Sequence, residues 1–418
     1  MTLDVTAARR QFPALQGETV FFDNPGGTQV PQPVLDRMLG YLTTSNANRD
    51  GAFATSRASD RLLEEARRSM AAFVGAARPE EIVFGPNMTS LTFQISRALA
   101  GEFLPGYEIV VTRLDHDANI APWRLMAEDR GCLVRWLDFD PEDCTLDLAK
   151  LDALLGPRTR LVAVAYASNA VGTVNPVAEI ARRAHAAGAL CYVDAVQYAP
   201  HRRIDVKALD CDFLVASAYK FFGPHLGMLY GRHELLARLR AYKVRPASDA
   251  PPGKFETGTQ LHENIVGALG AVEYLAGLAG GGSGDWGTRL DHAFRLIEDY
   301  ESSLTERLVA GLQTVPGLRL YGITDPEQMA ARLPTVSFTV AGRDPRAVAE
   351  HLAGAGINVW DGNFYAQSVT ERLELEDRGG LVRVGAVHYN TPDEVERLIR
   401  ALREMAGSAR GNHRQTSR

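Results

Sequence analysis

The sequence has only four cysteines among its 418 residues, and they are Cys132, Cys144, Cys191 and Cys211. None of them shows the CxxC spacing of zinc sites, and their scatter offers no framework for disulfides. We therefore expect no metal site, and we interpret the four cysteines as small buried hydrophobic residues.

Long hydrophobic runs are absent too. No stretch reaches the roughly 18 consecutive apolar residues of a membrane helix. The N-terminal MTLDVTAARRQFPAL lacks the apolar core of a signal peptide. We expect a cytoplasmic protein that does not associate with membranes.

Blocks of like charge are also missing, and the formal net charge is only −6. Because proteins that bind nucleic acid usually carry a basic patch or tail, we expect no nucleic-acid partner. With 45% hydrophobic and 23% charged residues, the chain has the composition of a globular protein. Its length allows two domains.

The first part of the chain alternates short apolar runs with amphipathic helical segments. Helical segments such as VAEIARRAHAAG end in a glycine that suits a helix C-terminus. This alternation predicts an α/β fold with a mostly parallel sheet and helices on both of its faces. The runs that predict strands are EIVFG, YEIVVTRL, CLVRWLDF, TRLVAVAYAS, ALCYVDAV and CDFLVASAY.

The pattern changes after residue 260. A helical segment is followed by the glycine-rich segment 280–287, which we expect to be flexible, and then by a long amphipathic helix. The remaining strands and helices indicate a second α+β domain. The expected division is an N-terminal segment 1–20 joining the small domain, a large domain 21–280, a small C-terminal domain 288–408 and a disordered tail 409–418.

Lys220 lies in the stretch DFLVASAYKFFGP, at the end of an apolar run and between aromatic residues. An ammonium group that loses hydration has a lowered pKa, and a neutral lysine amine is a nucleophile. The alternative is that the side chain reaches past the strand end into water. The residues at the ends of the other predicted strands help to decide between these two interpretations of Lys220.

Polar residues stand at the ends of the other predicted strands, where ligands of doubly wound sheets bind. Asp194 ends one strand, and a buried carboxylate there needs a cationic partner. A protonated heterocycle between Asp194 and Lys220 satisfies both groups. Pyridoxal 5′-phosphate (PLP) has such a ring, an aldehyde for a Schiff base and a phosphate that suits a helix N-terminus. The residues at such a helix start are Asn87, Met88 and Thr89.

The chain resembles the class V aminotransferases among the fold-type I PLP enzymes, and especially their cysteine desulfurase and selenocysteine lyase branch. The resemblance implies a seven-stranded sheet in a large PLP domain and a homodimer that shares its active sites. The matching motifs are FFDNPGGTQVP, EIVFGPNMTS, LDHDANIAPW, SNAVGTVNP, YVDAVQ, DCDFLVASAYKFFGPHLGMLYG, FETGTQ and VRVGAVHYNT.

The resemblance also implies roles for single residues around the cofactor. Lys220 forms the Schiff base and then acts as acid or base at Cα, while Asp194 keeps the pyridine nitrogen protonated. His116 stacks on the ring, and Gln197 approaches its phenolic oxygen. The expected contacts of the phosphate are Asn87, Met88, Thr89, Ser217, Tyr219 and the partner subunit's Thr259.

For the substrate, the resemblance implies that Asn169 and Arg383 hold the carboxylate. Asn24, Trp360 and Tyr365 are further candidates for substrate contact. Simpler interpretations exist for three of the assigned residues. His116 could be a solvated turn residue, Asn169 the cap of a turn, and Arg383 a strand arginine paired with a surface acid.

The sequence departs from the desulfurase pattern in two places. Desulfurases use a mobile cysteine thiolate to accept the substrate sulfur, but the corresponding stretch INVWDGNFYAQSV has Tyr365 at the position of the cysteine and Trp360 at that of an arginine. Tyr219 replaces the usual histidine beside Lys220. We therefore doubt persulfide formation and expect an aromatic wall at the substrate mouth.

The reaction that needs no enzyme thiol is β-elimination, so we expect a C–S lyase that acts on a cysteine S-conjugate or a related amino acid. Transamination, racemisation or epimerisation, and decarboxylating deamination start from the same Schiff base and stay open. A non-catalytic partner in sulfur transfer is less consistent with Asp194 and Lys220. A dehydrogenase of the Rossmann type lacks its GxGxxG motif here.

Overall fold

The computed structural model describes residues 2–280 and 284–415. Its strands are β1 (Val20–Phe21), β2 (Ile82–Gly85), β3 (Glu108–Thr112), β4 (Leu133–Leu137), β5 (Thr159–Ala165), β6 (Leu190–Asp194), β7 (Phe213–Ser217), β8 (Gly227–Gly231), β9 (Leu318–Tyr321), β10 (Thr335–Val340), β11 (Ile357–Asn358), β12 (Trp360–Gly362) and β13 (Leu381–Gly385).

The α-helices fill most of the chain between these strands. They are α1 (Val5–Arg10), α2 (Gln32–Thr44), α3 (Ala54–Val74), α4 (Met88–Leu99), α5 (Ala121–Arg130), α6 (Leu148–Leu154), α7 (Val177–Ala186), α8 (Val206–Leu209), α9 (His233–Arg238), α10 (His262–Gly277), α11 (Trp286–Gln313), α12 (Pro345–Gly354), α13 (Gln367–Arg372) and α14 (Pro392–Gln415).

The large sheet has seven strands in the order β2-β8-β7-β6-β5-β3-β4. Neighbours from β7 to β4 pair in parallel, and β8 pairs antiparallel with both β7 and β2. The predicted α/β fold with a mostly parallel sheet of seven strands is confirmed. All six predicted runs form strands of this sheet, whereas β8 was not predicted.

Helices cover both faces of the large sheet, which explains its apolar strands. Every residue of β3, β7 and β8 is buried. In α7, the buried residues Val177, Ile180, Ala181 and Ala184 follow the i, i+3, i+4, i+7 spacing that turns one helix face to the sheet. The second face is covered by α4 and α5, which pack in a separate apolar cluster.

A second, antiparallel sheet has the order β12-β13-β10-β9, and its apolar side packs against α11, α12 and α14. The N-terminal strand β1 pairs in parallel with β11, with Val20 opposite Ile357. The limits of the two domains stay a prediction. Within the glycine-rich segment 280–287, residues 281–283 lie outside the described residues.

Helix α14 continues to Gln415, well into the segment 409–418 that we expected to be disordered. Residues 416–418 lie outside the described residues. Among the residues that the structure describes, no helix is both long and apolar enough to cross a membrane. The same residues contain no cluster of three or more His, Cys, Asp or Glu side chains that could hold a metal ion.

Candidate active site

Lys220 and Asp194 lie at the carboxyl ends of adjacent parallel strands. Asp194 is the last residue of β6 and is in register with Val215 of β7. Lys220 ends a short 3-10 turn that follows directly after β7. Its Nζ donates a hydrogen bond to the carbonyl oxygen of Pro25, which holds the amine at the edge of the sheet.

The pKa values of Lys220 and Asp194 both depart from their usual ranges. Burial lowers the pKa of Lys220 to about 7, with a further lowering by the charge of Arg383 and an opposing effect of Asp194. Burial raises the pKa of Asp194 to about 6, against a hydrogen bond from the Val196 amide. Near neutral pH, the site therefore holds a substantial fraction of free amine beside a carboxylate.

His116 lies close to these groups and is neutral. Burial lowers its pKa to about 4, and the positive charges of Lys220 and Arg383 add to this effect. Its Nδ1 accepts a hydrogen bond of 3.0 Å from the Ala118 amide. The ring lies nearly parallel to that of Tyr365, with 5.6 Å between the centroids. His116 is thus a partly buried residue that stacks on Tyr365, and not a fully solvated turn residue.

Helix α4 begins at this edge of the sheet, as the motif FGPNMTSLTF predicted. Asn87 caps it through a hydrogen bond from the Ser90 amide at 2.9 Å. The Met88 amide donates to the hydroxyl of Ser217 at 3.0 Å. The hydroxyl of Thr89 points to the sulfur of Met88 at 3.4 Å. Four of the residues expected at the phosphate are therefore brought together by α4 and β7, namely Asn87, Met88, Thr89 and Ser217.

Gln197 is buried one turn after the end of β6. Its Nε2 is 2.8 Å from the hydroxyl of Thr335 and 3.4 Å from Nε2 of His201. A cleft is lined by Gln197, His201 and Lys220 together with Asn24 and Pro25. Gln197 therefore faces the same cleft as the lysine amine.

Arg383 and Asn169 lie together, and both contact Phe364. Nη1 of Arg383 donates to the carbonyl oxygen of Asn169 at 2.9 Å. The amide Nδ2 of Asn169 donates to the carbonyl oxygen of Phe364 at 2.9 Å. Burial lowers the pKa of Arg383 to about 9, which Asp23 partly opposes. Arg383 is 4% exposed, so it is not a strand arginine paired at the surface.

Trp360 and Tyr365 belong to the segment that follows β11. Trp360 is in register with Arg383, and its indole lies so close to Gly26 that a Cβ there would be 2.1 Å from Nε1. Tyr365 is 75% exposed and covers His116. Both Phe364 and Tyr365 have positive φ angles, 58° and 57°, which is unusual for residues other than glycine.

The remaining predicted residues are Tyr219, Thr259 and Asn24, and each of them has its own set of contacts. The Tyr219 ring stacks on His225 with 5.0 Å between centroids. Thr259 is exposed, and its expected contact with a partner subunit stays a prediction. The Asn24 amide donates to the carbonyl oxygens of Phe21 and Gly385 and accepts from the hydroxyl of Tyr389. These bonds occupy the Asn24 side chain, so it joins the N-terminal segment to β13.

Comparisons with known proteins agree with this geometry. The sequence profile of the family described as aminotransferase class-V matches residues 20–398. The chain belongs to this family. It is 32% identical to a cysteine desulfurase of Serratia proteamaculans over 97% of this chain and 99% of that protein. It is 35% identical to the aminotransferase-like protein FGM3 of Gibberella zeae over 96% of this chain and 98% of that protein.

A third relative, a probable cysteine desulfurase of Mycolicibacterium paratuberculosis, is 35% identical over 96% of this chain, which spans 58% of that relative's length. Among solved structures, the apo cysteine desulfurase of Thermococcus onnurineus NA1 has a TM-score of 0.88 at 28% identity and covers 98% of this chain and 99% of its own. The cysteine desulfurase CsdA of Escherichia coli has a TM-score of 0.84 at 26% identity, with 98% and 100% covered. The fold is therefore that of a fold-type I enzyme.

Membership of the class V aminotransferases makes PLP the cofactor of this chain, and the site residues fit it. A buried carboxylate, Asp194, can face a pyridinium nitrogen, and the amine of Lys220 can reach an aldehyde. Among the described residues, Nε of Arg383 and Oδ1 of Asn169 are buried without a hydrogen-bond partner. Unsatisfied buried polar atoms of this kind are consistent with a site that is completed by a bound molecule.

None of the four cysteines belongs to this class V site. Cys144, Cys191 and Cys211 are buried, and Cys132 is partly exposed at the start of β4. Burial raises the pKa of Cys144 and that of Cys211 to about 12. Burial also raises the pKa of the Cys132 thiol. The four thiols are therefore poor nucleophiles near neutral pH.

The sequence analysis missed His201, Glu301 and Thr335. Phe364 was expected to line the substrate mouth together with Trp360 and Tyr365, but its contacts with Asn169 and Arg383 depend on a loop conformation that no motif indicates. His201 lies four residues after Gln197, and this spacing is the signal that could have found it. Glu301 lies on α11, a hundred residues further along the chain, and no local pattern connects it to the site.

Proposed function

We propose that this class V enzyme is a PLP-dependent lyase that cleaves the C–S bond of a cysteine S-conjugate or related amino acid by β-elimination. The observation that carries the proposal is Tyr365, whose phenol ring stacks on His116. The resemblance assigns to Tyr365 the position at which the desulfurase branch has its thiol. A reaction at Cβ that needs no enzyme thiol remains available. The desulfurase names of the relatives support an amino-acid substrate with sulfur at Cβ.

When bound, PLP supplies an electrophilic carbon for the substrate amine and an electron sink that makes the Cα proton acidic. The chain contributes the groups that use this acidity. Asp194 provides a negative charge for the ring nitrogen. The amine of Lys220, with a pKa near 7, is present partly as free base at neutral pH and takes the Cα proton on Nζ.

The electron pair of the broken Cα–H bond forms a double bond between Cα and Cβ, and the C–S bond breaks with the thiolate as leaving group. The products are the thiol and 2-aminoacrylate, which takes up water and yields pyruvate and ammonia. No external oxidant or reductant is needed. In no step does sulfur become covalently bound to the enzyme.

The substrate carboxylate has a cationic partner in Arg383. Its guanidinium is buried, and the unpartnered Nε is available for a charge-assisted hydrogen bond. Asn169 supports this group by accepting from Nη1 of Arg383 through its carbonyl oxygen. The exposed rings of Trp360 and Tyr365 offer apolar surface to the group attached to sulfur.

Two further properties belong to this proposal. The exposed Thr259 would reach the phosphate of a second copy, so we propose a homodimer, which light scattering after size-exclusion chromatography would detect. We also propose that the enzyme acts in the cytoplasm. Fractionation of the source cells tests this location.

The decisive experiment is a product assay of the PLP-loaded enzyme with a panel of S-alkyl and S-aryl cysteines. We expect pyruvate, ammonia and free thiol in equal amounts, unaffected by prior treatment with iodoacetamide. A 2-oxo acid that keeps the sulfur would indicate transamination, and loss of optical purity would indicate racemisation. Formation of alanine and protein-bound persulfide from cysteine would overturn the proposal.

A further inference from the structure

The buried pair of His201 and Glu301 lies next to Gln197. Nδ1 of His201 is 2.8 Å from Oε2 of Glu301, and the two side chains are 2% and 3% exposed. Nε2 of His201 points to the amide of Gln197 at 3.4 Å. A chain of hydrogen bonds therefore runs from α11 to the cleft.

The number of protons in this pair follows from its burial. A net negative charge without a cation in contact is strongly unfavourable in such surroundings, and Oε1 of Glu301 has no hydrogen-bond partner among the described residues. A neutral pair contains either imidazolium with carboxylate or neutral imidazole with a carboxylic acid. In the first case the proton between the two residues lies on Nδ1 of His201, and in the second it lies on the Glu301 carboxyl group, which donates it to Nδ1. In both cases Nε2 of His201 carries a hydrogen.

The other charged groups around the pair do not alter this balance. Arg202 forms an ion pair with Glu298 at 3.1 Å, and the guanidinium of Arg332 donates to backbone carbonyl oxygens. Burial and the charge of His201 lower the pKa of His388 to about 3, so its ring is neutral. Burial is the largest effect on Glu301 and raises the pKa of its carboxyl group, while the charge of Arg202 is the smallest of the opposing effects.

The orientation of the Gln197 amide follows from the hydrogen on Nε2 of His201. The oxygen and nitrogen of a terminal amide occupy nearly the same space, and the hydrogen-bond network decides which is which. With a donor at His201, the stable arrangement turns Oε1 of Gln197 to His201 and to the hydroxyl of Thr335, which can donate. The Nε2 group of Gln197 is then free to donate into the cleft.

We propose that His201 and Glu301 are positioning residues that fix the Gln197 amide so that its Nε2 donates to the phenolic oxygen of PLP. The proposal rests on the placement of Gln197 beside the ring in the proposed function, but not on the identity of the substrate. A donor at this oxygen withdraws charge from it. The neighbouring proton on the bond between Lys220 and the cofactor is then released at lower pH.

The experiment measures the absorption spectrum of the PLP-loaded enzyme between pH 5 and 10 without substrate. In His201→Phe and Glu301→Leu, we expect the midpoint of the spectral change to rise by about one pH unit, which is the effect of losing one hydrogen bond to a charged group. Glu301→Asp keeps a carboxylate, so its midpoint should lie between that of the wild type and that of Glu301→Leu. The affinity for PLP should fall in parallel.

Thr305→Val is the matched control because it removes a buried hydroxyl one turn along α11 that bonds only the backbone oxygen of Glu301. It should leave the midpoint unchanged. If the buried variants fail to fold, Gln197→Glu and Gln197→Leu are the alternatives. Both lack an amide donor, so each should raise the midpoint.

An unchanged midpoint in folded His201→Phe, or an equal shift in Thr305→Val, would overturn the inference. If the wild-type enzyme showed no visible cofactor band after loading with PLP, the assignment of PLP as the cofactor would be wrong. A negative product assay with an unchanged spectral result would contradict the proposed β-elimination but not the role of His201 and Glu301.

Discussion

The guanidinium carbon of Arg383 lies 4.2 Å from the centroid of the Phe364 ring. The backbone oxygen of Phe364 also accepts the hydrogen bond of Asn169. Phe364 thus contacts both residues that we expect to hold the substrate carboxylate. In this conformation, we expect the loop and a substrate to compete for these two residues, so that full contact of the substrate carboxylate with both residues displaces Phe364.

Removal of the Phe364 ring should therefore strengthen substrate binding. A cation–π contact of this kind contributes about 0.5–2 kcal/mol, so we expect Phe364→Leu to lower KM by about 2–30-fold with kcat changed less. Phe364→Tyr keeps the ring and should retain the KM of the wild type. Steady-state kinetics of pyruvate release checks this, and an unchanged or higher KM in Phe364→Leu would contradict the competition.

The low pKa of Lys220 predicts how the apoenzyme captures its cofactor. Because only the unprotonated amine attacks the aldehyde, the rate of PLP incorporation should rise with pH and level off above about pH 7. An ordinary lysine would continue to gain reactivity up to pH 10. Stopped-flow absorbance measures the rate. Lys220→Ala should bind PLP without a bond that borohydride can reduce.

The same pKa has a consequence for the stability of the apoenzyme. The folded pKa of Lys220 is lower than that of the unfolded chain, so the unfolded chain binds more protons between about pH 7 and 10.5. Stability contributed by the neutral amine is thus present at high pH and is lost as pH falls towards 7. Lys220→Met lacks this dependence.

Urea denaturation at pH 7 and pH 9.5 tests the relation. The free energy of unfolding of Lys220→Met should exceed that of the wild-type apoenzyme by on the order of 1–3 kcal/mol at pH 7. The difference should become smaller at pH 9.5. A difference that is independent of pH would show that Lys220 is solvated in the apoenzyme.

Asp194 should be required for its charge rather than for its size. Asp194→Asn keeps the volume but removes the negative charge at the ring nitrogen, so we expect kcat to fall by at least about 100-fold. PLP should still form its bond with Lys220, because the amine remains. The absorption spectrum and the rate of pyruvate formation separate these effects, and a small loss of kcat would argue against the assigned role.

The sequence predicted best those parts that depend on local pattern and burial. Strands such as β3 and β7 are buried on both faces, and their apolar runs therefore stand out. The strand β8 is as buried, but its five residues GMLYG include two glycines and have few β-branched residues. The short strands β1, β11 and β12 were not predicted because two or three residues hold no periodicity.

The candidate site shows the same distinction. Lys220 and Asp194 could be predicted because strand ends converge at one edge of a parallel sheet. The contact of Glu301 with His201 could not, since it depends on how α11 packs against the segment that follows β6. Asn24 matched a motif of the family, yet its amide bonds are used within the protein. A motif assigns a position, whereas packing decides which atoms remain free.

Tyr365 offers the most direct test of why this chain should not form a persulfide. Tyr365→Cys places a thiol on an exposed loop beside His116, at the position that the resemblance assigns to the desulfurase cysteine. We expect this variant, but not the wild type, to form cyanolysable sulfur on the protein when it is given cysteine. Tyr365→Ser is the control because it opens the same space without a thiol. Persulfide on the wild type or on Tyr365→Ser would mean that another cysteine carries sulfur, which the burial of the three innermost thiols argues against.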